Sequence, residues 1–351
     1  MDTYFSEIRA SDSRSLAEAD RLLNQEGIRR EERLDYITGL YDDDHNLLAT
    51  GACFANTLRC LAVDSSHQGE GLLNRVVSHL IEYQAQRGNV HLFLYTDSGN
   101  AKFFLSLGFY EIARVRGMSF MENRKDGFSS FLDRVRSSRR IKEGRTAALV
   151  MNCNPFTLGH RHLVEYTSRE NDEAHLFVVS EDASFFSSDG RFAMVKAGCS
   201  DLNNVILHRT ESYMISSAVF PGYFFNDGES AIEAQTRLDL VLFGKIAAAL
   251  GVTRRYVGEE PLSQVTRLYN EAMMRELPGL GIECVVIPRR EHGGQPISAS
   301  RVRSLIRDGD LEAVRSLVPP STFDYLMSDA GRKTMELIRS ADSVLKFRAS
   351  F

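Results

Sequence analysis

Thr157-Leu158-Gly159-His160 stands between an apolar run, Ala147–Met151, and a segment with helical composition, Gly159–Arg169. A hydroxyl, a glycine and an imidazole at the head of a helix suit the handling of phosphate. Gly159 lets backbone approach a ligand, the first helical N–H groups have no partner within the helix, and the dipole presents its positive end there. His160 and Thr157 could each donate to a phosphate oxygen. When phosphorus is attacked, charge spreads over the equatorial oxygens, and donors aimed at them stabilise it. The other reading is a buried loop in which Thr157 caps the helix and His160 bonds to backbone. From these residues alone both stay open. Asn154 and Phe156 shape the same loop, Asn154 as a phosphate donor or a turn cap.

A second stretch, Pro296–Ile306, carries related chemistry. Ser298 and Ser300 flank a helix start and Arg303 lies one turn further in. Two hydroxyls, a helix N-terminus and a guanidinium make an anion site, or else an N-cap with a solvated arginine. Gly258 and Glu259 follow a predicted strand and either border a nucleoside or form a turn. Arg191, in Ser188-Asp189-Gly190-Arg191, reads as a surface arginine with a second possible role at the phosphates. Ser212–Phe225 with Arg209 offers hydroxyls beside small and aromatic residues, either a small carboxylate pocket or a buried segment; the acid-binding residues are otherwise unknown. His160 and His162 project to different helix faces and do not share a metal, and no metal ligand set is expected.

These residues need elements to hold them. With 351 residues, the chain is long for one core and two domains are expected. A net charge of −5 argues against a dominant nucleic-acid footprint, and no apolar run is long enough to span a bilayer. The first residues lack the apolar core of a signal peptide, so a cytoplasmic protein is expected. Five scattered cysteines, without CxxC pairs, predict neither a disulfide framework nor a zinc site. Cys153 reads as a small buried residue. Residues 126–145 are expected to be a basic linker between a domain at 1–125 and one at 146–351. Their arginines form a solvated face or an acidic partner's docking site. In the first half, Leu58–Val63 and Val90–Thr96 read as strands. Apolar residues from Leu72 to Ile81 fall on one helical face, and a further helix runs through Ala101 and Phe104 to Gly108. In the second half, strands at Ala147–Met151, His175–Val179, Val205–His208, Arg255–Val257 and Ile282–Ile287 alternate with helices. That pattern predicts a doubly wound parallel sheet, whose ligands sit beyond the strand ends. Glu291-His292-Gly293-Gly294 is a hinged lid or a turn.

Taken together, the second half resembles the HxGH-type nucleotidyltransferase superfamily, with its (H/T)xGH loop and late ISSTxxR segment. Here the latter is Ile297-Ser298-Ala299-Ser300-Arg301-Val302-Arg303, departing at Ala299 and Ser300. The resemblance implies a Rossmann-like fold, attack on the α-phosphate of a nucleotide, release of pyrophosphate and a need for Mg²⁺. His160 and Thr157 would then act at the α-phosphate, and Ser298, Ser300 and Arg303 on the outgoing pyrophosphate. Asn154, Phe156, Gly159, Gly258 and Glu259 would complete the ATP site. The first half resembles the GNAT acetyltransferases. Gln68-Gly69-Glu70-Gly71-Leu72-Leu73 is similar to their coenzyme A pyrophosphate loop, with Leu73 in place of a small residue. Asn100–Ile112 is similar to their later motif ending in Gly108-Phe109. Phe104 stands where many members have the tyrosine that protonates the thiolate.

A GNAT-like α/β domain ahead of a nucleotidyltransferase resembles the citrate lyase ligase family. Met151–Glu165, Val219–Phe225 and Val257–Asn270 carry that resemblance. It implies that acetate and ATP form acetyl adenylate, and that a thiol then takes the acetyl group. The thiol belongs to the dephospho-coenzyme-A-derived prosthetic group on the acyl-carrier subunit of citrate lyase. Gln68 to Leu73 would grip that arm. Neither a nucleic acid nor a membrane partner is implied. The rivals are a nucleotidyltransferase with a phosphate acceptor, an acetyltransferase with a nucleotide-sensing domain, and an ATP-gated binding module.

Overall fold

The computed structural model describes residues 2–181, 184–214, 220, 222, 228–260 and 264–348. The chain divides into two compact units, Met1–Ser130 with Phe220–Leu238, and Phe131–Val219 with Asp239–Phe351.

The first unit holds a seven-stranded sheet of β1 (Thr3–Glu7), β2 (Tyr36–Asp42), β3 (Leu47–Phe54), β4 (Thr57–Val63), β5 (Phe93–Asp97), β6 (Tyr110–Val115) and β7 (Met118–Glu122). Their order is β1-β2-β3-β4-β5-β7-β6, and only the β4–β5 pair is parallel. The helices are α1 (Ser13–Gln25), α2 (Leu72–Gln86) and α3 (Ala101–Ser106). α2 buries Leu72, Val76, Val77 and Leu80, the stripe expected from its spacing. It seats directly on β3 because Gly51 has no side chain: a β-carbon there would lie 2.6 Å from Val76. β4 and β5 pair only at Thr57–Phe93 and Leu58–Leu94, then part. The expected strand Val90–Thr96 starts only at Phe93, and Val90 is exposed.

Within residues 126–145, Gly127–Ser137 form a helix, α4. Phe128, Phe131 and Val135 recur at helical spacing and are buried. The arginines there have partners within the chain: Arg134 pairs with Glu211 at 2.7 Å, Arg136 with Asp133 at 2.8 Å, and Arg140 donates to the Asn203 carbonyl at 2.6 Å.

The second unit is a doubly wound parallel sheet, as expected. Its strands are β8 (Thr146–Met151), β9 (Glu173–Val178), β10 (Val205–Arg209), β11 (Arg254–Gly258) and β12 (Glu283–Ile287). All pairs are parallel, in the order β10-β9-β8-β11-β12. The chain starts in the middle, moves out to β10, and returns to the other side through β11. The switch point therefore lies between β8 and β11, where such sheets bind ligands. The helices are α5 (Leu158–Glu170), α6 (Ser188–Gly198), α7 (Gly228–Leu250, of which only the part from Asp239 falls in this unit), α8 (Gln264–Glu276), α9 (Ala299–Asp308), α10 (Leu311–Leu317), α11 (Pro320–Met327) and α12 (Asp329–Arg348), with a hairpin of β13 (Glu291–His292) and β14 (Gln295–Pro296) before α9. One core joins Leu149, Val164, Leu176, Met194, Val302 and Ile338. Covered on both faces, β8 is almost wholly apolar, while β9 carries Glu173 and His175 buried and hydrogen-bonded to each other. Glu291–Pro296 is the turn of the two sequence alternatives: Gly293 and Gly294 both have positive φ (62° and 72°), which a tight two-residue hairpin demands. Among the described residues no helix is long and apolar enough to cross a membrane.

Candidate active site

Thr157 is extended and caps α5. Its Oγ1 accepts from the His160 N–H at 3.3 Å. In return His160 Nδ1 accepts from the Thr157 N–H at 3.1 Å and lies 3.0 Å from Thr157 Oγ1. A backbone N–H can only donate, so Nδ1 is unprotonated and the ring's proton sits on Nε2. Burial, and then the charge of Arg289, push the His160 pKa down to about 4. The ring is therefore neutral at pH 7 and offers an N–H donor. The cap and the backbone bond of the second reading are both present, and together they leave Nε2–H as the ring's donor.

The end of β8, the head of α5, the end of β11 and the segment 287–300 line a cleft of about 570 Å³. Thr157, Gly159, His160, Gly258, Ser298 and Ser300 line it. A β-carbon on Gly159 would lie 2.8 Å from the Ile297 carbonyl oxygen, so the two motifs meet backbone to backbone. Ser298 caps α9, its Oγ accepting from the Arg301 N–H at 3.1 Å. Asn154, Phe156, Glu259 and Arg303 are not part of this lining, and Glu259 is exposed. Asn154 Oδ1 accepts from the Phe186 N–H at 3.3 Å, and Phe156 is fully buried in the core. Arg303 donates to the Asn154 carbonyl at 2.5 Å and to Ser300 Oγ at 3.1 Å, tying α9 to the loop after β8.

Arg191 is neither a surface arginine nor part of the cleft. It is fully buried and donates to the carbonyls of Asn152 (3.0 Å), Val179 (2.7 Å) and Phe186 (3.1 Å). Five donors in a rigid fork let one side chain satisfy loop carbonyls beyond the ends of β8 and β9. Cys153 is fully buried, and burial pushes its thiol far up. Of Ser212–Phe225, residues 215–219, 221 and 223–225 lie outside the described residues. Arg209 pairs with Asp189 at 2.9 Å, away from the cleft.

Residues 146–326 match the family described as citrate lyase ligase C-terminal domain. The chain is 40% identical over 314 residues to citrate (pro-3S)-lyase ligase of Klebsiella pneumoniae, covering 88% of this chain and 91% of that one. It is 34% identical over 331 residues to the same-named protein of Escherichia coli, covering 92% and 94%. The chain belongs to the citrate lyase ligase family. Among solved structures, a protein described as a nicotinate-nucleotide adenylyltransferase of Vibrio parahaemolyticus matches 56% of this chain and 96% of its own, at 14% identity and a TM-score of 0.37. The ribosomal-protein-S18-alanine N-acetyltransferase of Escherichia coli matches 34% and 92%, at 21% identity and a TM-score of 0.28.

The ligase has a second pocket, of about 740 Å³, in its first unit. It opens where β4 and β5 part, and Leu61–Val63 and Tyr95–Asp97 line it. Gln68, Gly69, Gly71, Leu72 and Leu73 form its rim, with Gly69 at φ 90° and Gly71 capping α2 at φ 76°. Glu70 is not in the lining and pairs with His67 at 3.2 Å. Phe104, buried, is in the wall. The lining includes Glu26 and Asp97 but no lysine or arginine among the described residues.

Sequence reasoning missed Arg255, Tyr269, Arg289 and Arg290, all of which line the ligase cleft. Arg289 is committed to Glu260 and, at 2.6 Å, to the Glu259 carbonyl. Arg290 is exposed. Position was the sequence signal for three of them: Arg255 follows the start of β11, and Arg289 and Arg290 follow the end of β12, while Tyr269, within α8, had none.

Proposed function

We propose that this ligase activates citrate lyase in the cytoplasm by acetylating the carrier subunit's thiol in two steps. An acetate oxygen attacks the α-phosphorus of ATP, the bond to the β-phosphate oxygen breaks, and pyrophosphate leaves. The thiol of the carrier's prosthetic group then attacks the acetyl carbon, loses its proton, and displaces AMP. The observation that carries this reading is the neutral His160 whose Nε2–H donor is held at the head of α5 by the Thr157 cap. Together with family membership, it favours a site that stabilises charge at the α-phosphate rather than one that transfers protons.

In this reading His160 donates to an α-phosphate oxygen as charge develops. Thr157 positions it. The N–H groups at the head of α9, with Ser298 and Ser300, take the β- and γ-phosphates, and Arg290 supplies charge at the mouth. Asn154, Phe156, Glu259 and Arg303 support the walls without lining them, and Gly159 and Gly258 leave room for the nucleotide. In this reading Mg²⁺ enters bound to the phosphates of ATP, as part of the substrate. Gln68 to Leu73 hold the phosphates of the prosthetic arm through backbone N–H groups at the head of α2. Phe104 has no proton to give, consistent with an arm that is bound there rather than discharged there.

The test is ATP–pyrophosphate exchange with and without acetate, with His160→Ala alongside. Exchange that requires acetate and falls about 10²–10³-fold in the variant supports the reading. Exchange driven instead by a phosphomonoester, or none with carrier present, overturns it.

A further inference from the structure

At the base of the cleft lies a polar group that the steps above do not use. Arg255 is the second residue of β11, level with Ala148 of β8 and below the strand's last residue, Gly258. It lines the cleft yet is 3% exposed. Its guanidinium lies over the Phe243 ring at 4.1 Å. Nη2 donates to the Tyr269 hydroxyl at 3.1 Å, and that hydroxyl donates to Asp239 Oδ2. The Asp239 carboxylate is 3.6 Å from Arg255 Nη2. Nε and Nη1 remain buried with no hydrogen-bond partner among the described residues. Buried donors without partners are rare in folded proteins, and each one calls for a physical reason.

We infer that Arg255 binds the carboxylate of the small acid substrate. This rests on the adenylation reading above. The acid's oxygens take the two empty donors, while Tyr269 and Asp239 hold the guanidinium in place. Met273 and Val257 line the same cleft and give a methyl group apolar surroundings. Both donors are shielded, so reaching them takes a local shift of the wall, and a two-carbon acid needs less of one than anything larger. The positive charge is matched by Asp239, which keeps the guanidinium buried without a bound anion. An arginine suits the task because it cannot give up its proton to the acid.

The experiment uses the full chain with Arg255→Lys, which retains a charge for Asp239 and loses the planar donor set. Acetate-dependent ATP–pyrophosphate exchange is measured with acetate varied at saturating ATP, then with ATP varied at saturating acetate. The expected result is a KM for acetate raised about tenfold or more, with that for ATP within about twofold. A purely structural role would move both together or lower kcat alone, and either result overturns the assignment, as does an unchanged acetate KM. Should Arg255→Lys not fold, Tyr269→Phe removes only the hydroxyl at Nη2. It too must shift the acetate KM and spare that for ATP, or the assignment falls. Wild-type protein that binds ATP but shows no acetate-dependent exchange, with carrier present, sinks the adenylation reading itself. Normal wild-type exchange with an unaffected variant sinks only the role of Arg255.

Discussion

A β-carbon on Gly159 would lie 2.8 Å from the carbonyl oxygen of Ile297. The loop after β8 and the segment before α9, more than a hundred residues apart in the chain, touch there without a side chain between them. Arg303 reinforces the junction by donating to the Asn154 carbonyl.

Gly159→Ala must push these segments apart, since the obstructing atom is backbone. The expected cost is about 1–3 kcal/mol in urea unfolding. Because the shift separates His160 from Ser298, kcat for exchange is expected to fall by about 10²-fold, as for misplaced groups elsewhere. Wild-type exchange in this variant would show that the junction tolerates separation.

The pH profile of exchange reports on His160. With its pKa near 4, the ring stays neutral from pH 8 down to about 5. No loss of rate from this residue is expected around pH 6.5, where an ordinary histidine titrates. Rate is expected to fall through about pH 4, as a proton arriving on Nδ1 breaks the bond from the Thr157 N–H. An NMR titration of His160 with a midpoint near 6.5 would contradict the geometry.

Thr157→Val removes the cap while keeping the volume. Loss of the cap costs about 0.5–2 kcal/mol. Rate is expected to fall further than stability predicts, because Nδ1 also loses the neighbouring hydroxyl that helps set the tautomer. Thr157→Ser is expected to restore both.

A buried chain, Glu173 Oε1–His175 Nε2 at 3.0 Å and His175 Nδ1–His208 Nε2 at 2.9 Å, makes the second unit sensitive to acid. Burial, then His175, push His208 down to about 3, and burial also lowers His175. As pH falls below about 6.5, the unfolded chain takes up protons that the folded chain refuses. Stability is therefore expected to drop from pH 6.5 toward 3. His208→Gln should flatten that slope in urea unfolding at pH 7 and 5, and an unchanged slope would assign the sensitivity elsewhere.

Gly71→Asp places a carboxylate at the head of α2, at a φ of 76° that favours glycine. If the loop holds the arm's phosphates, the KM for the carrier rises about tenfold or more, by charge and by strain. Acetate-dependent exchange without carrier should change far less. Equal effects on the two assays would detach the pocket from the arm.

What the sequence determined was local. Thr157 and His160 are three residues apart, so one helical turn is enough to join them, and their bond could be anticipated from type and spacing alone. The strands β8 to β12 were legible because a parallel sheet buried on both faces needs apolar runs. The stripe of α2 and the glycines at its head were legible for the same kind of reason. The tertiary structure alone decided which side chains meet. The sequence neighbours of Arg191, Arg303 and Arg255 do not tell their fates apart. One satisfies loop carbonyls, one ties α9 to the loop after β8, and one lies in the cleft wall with two donors empty. The sheet order sets these fates. By returning the chain from β10 to the far side of β8, it brings residues near 150, 258, 290 and 298 to one edge, a convergence that no local pattern encodes.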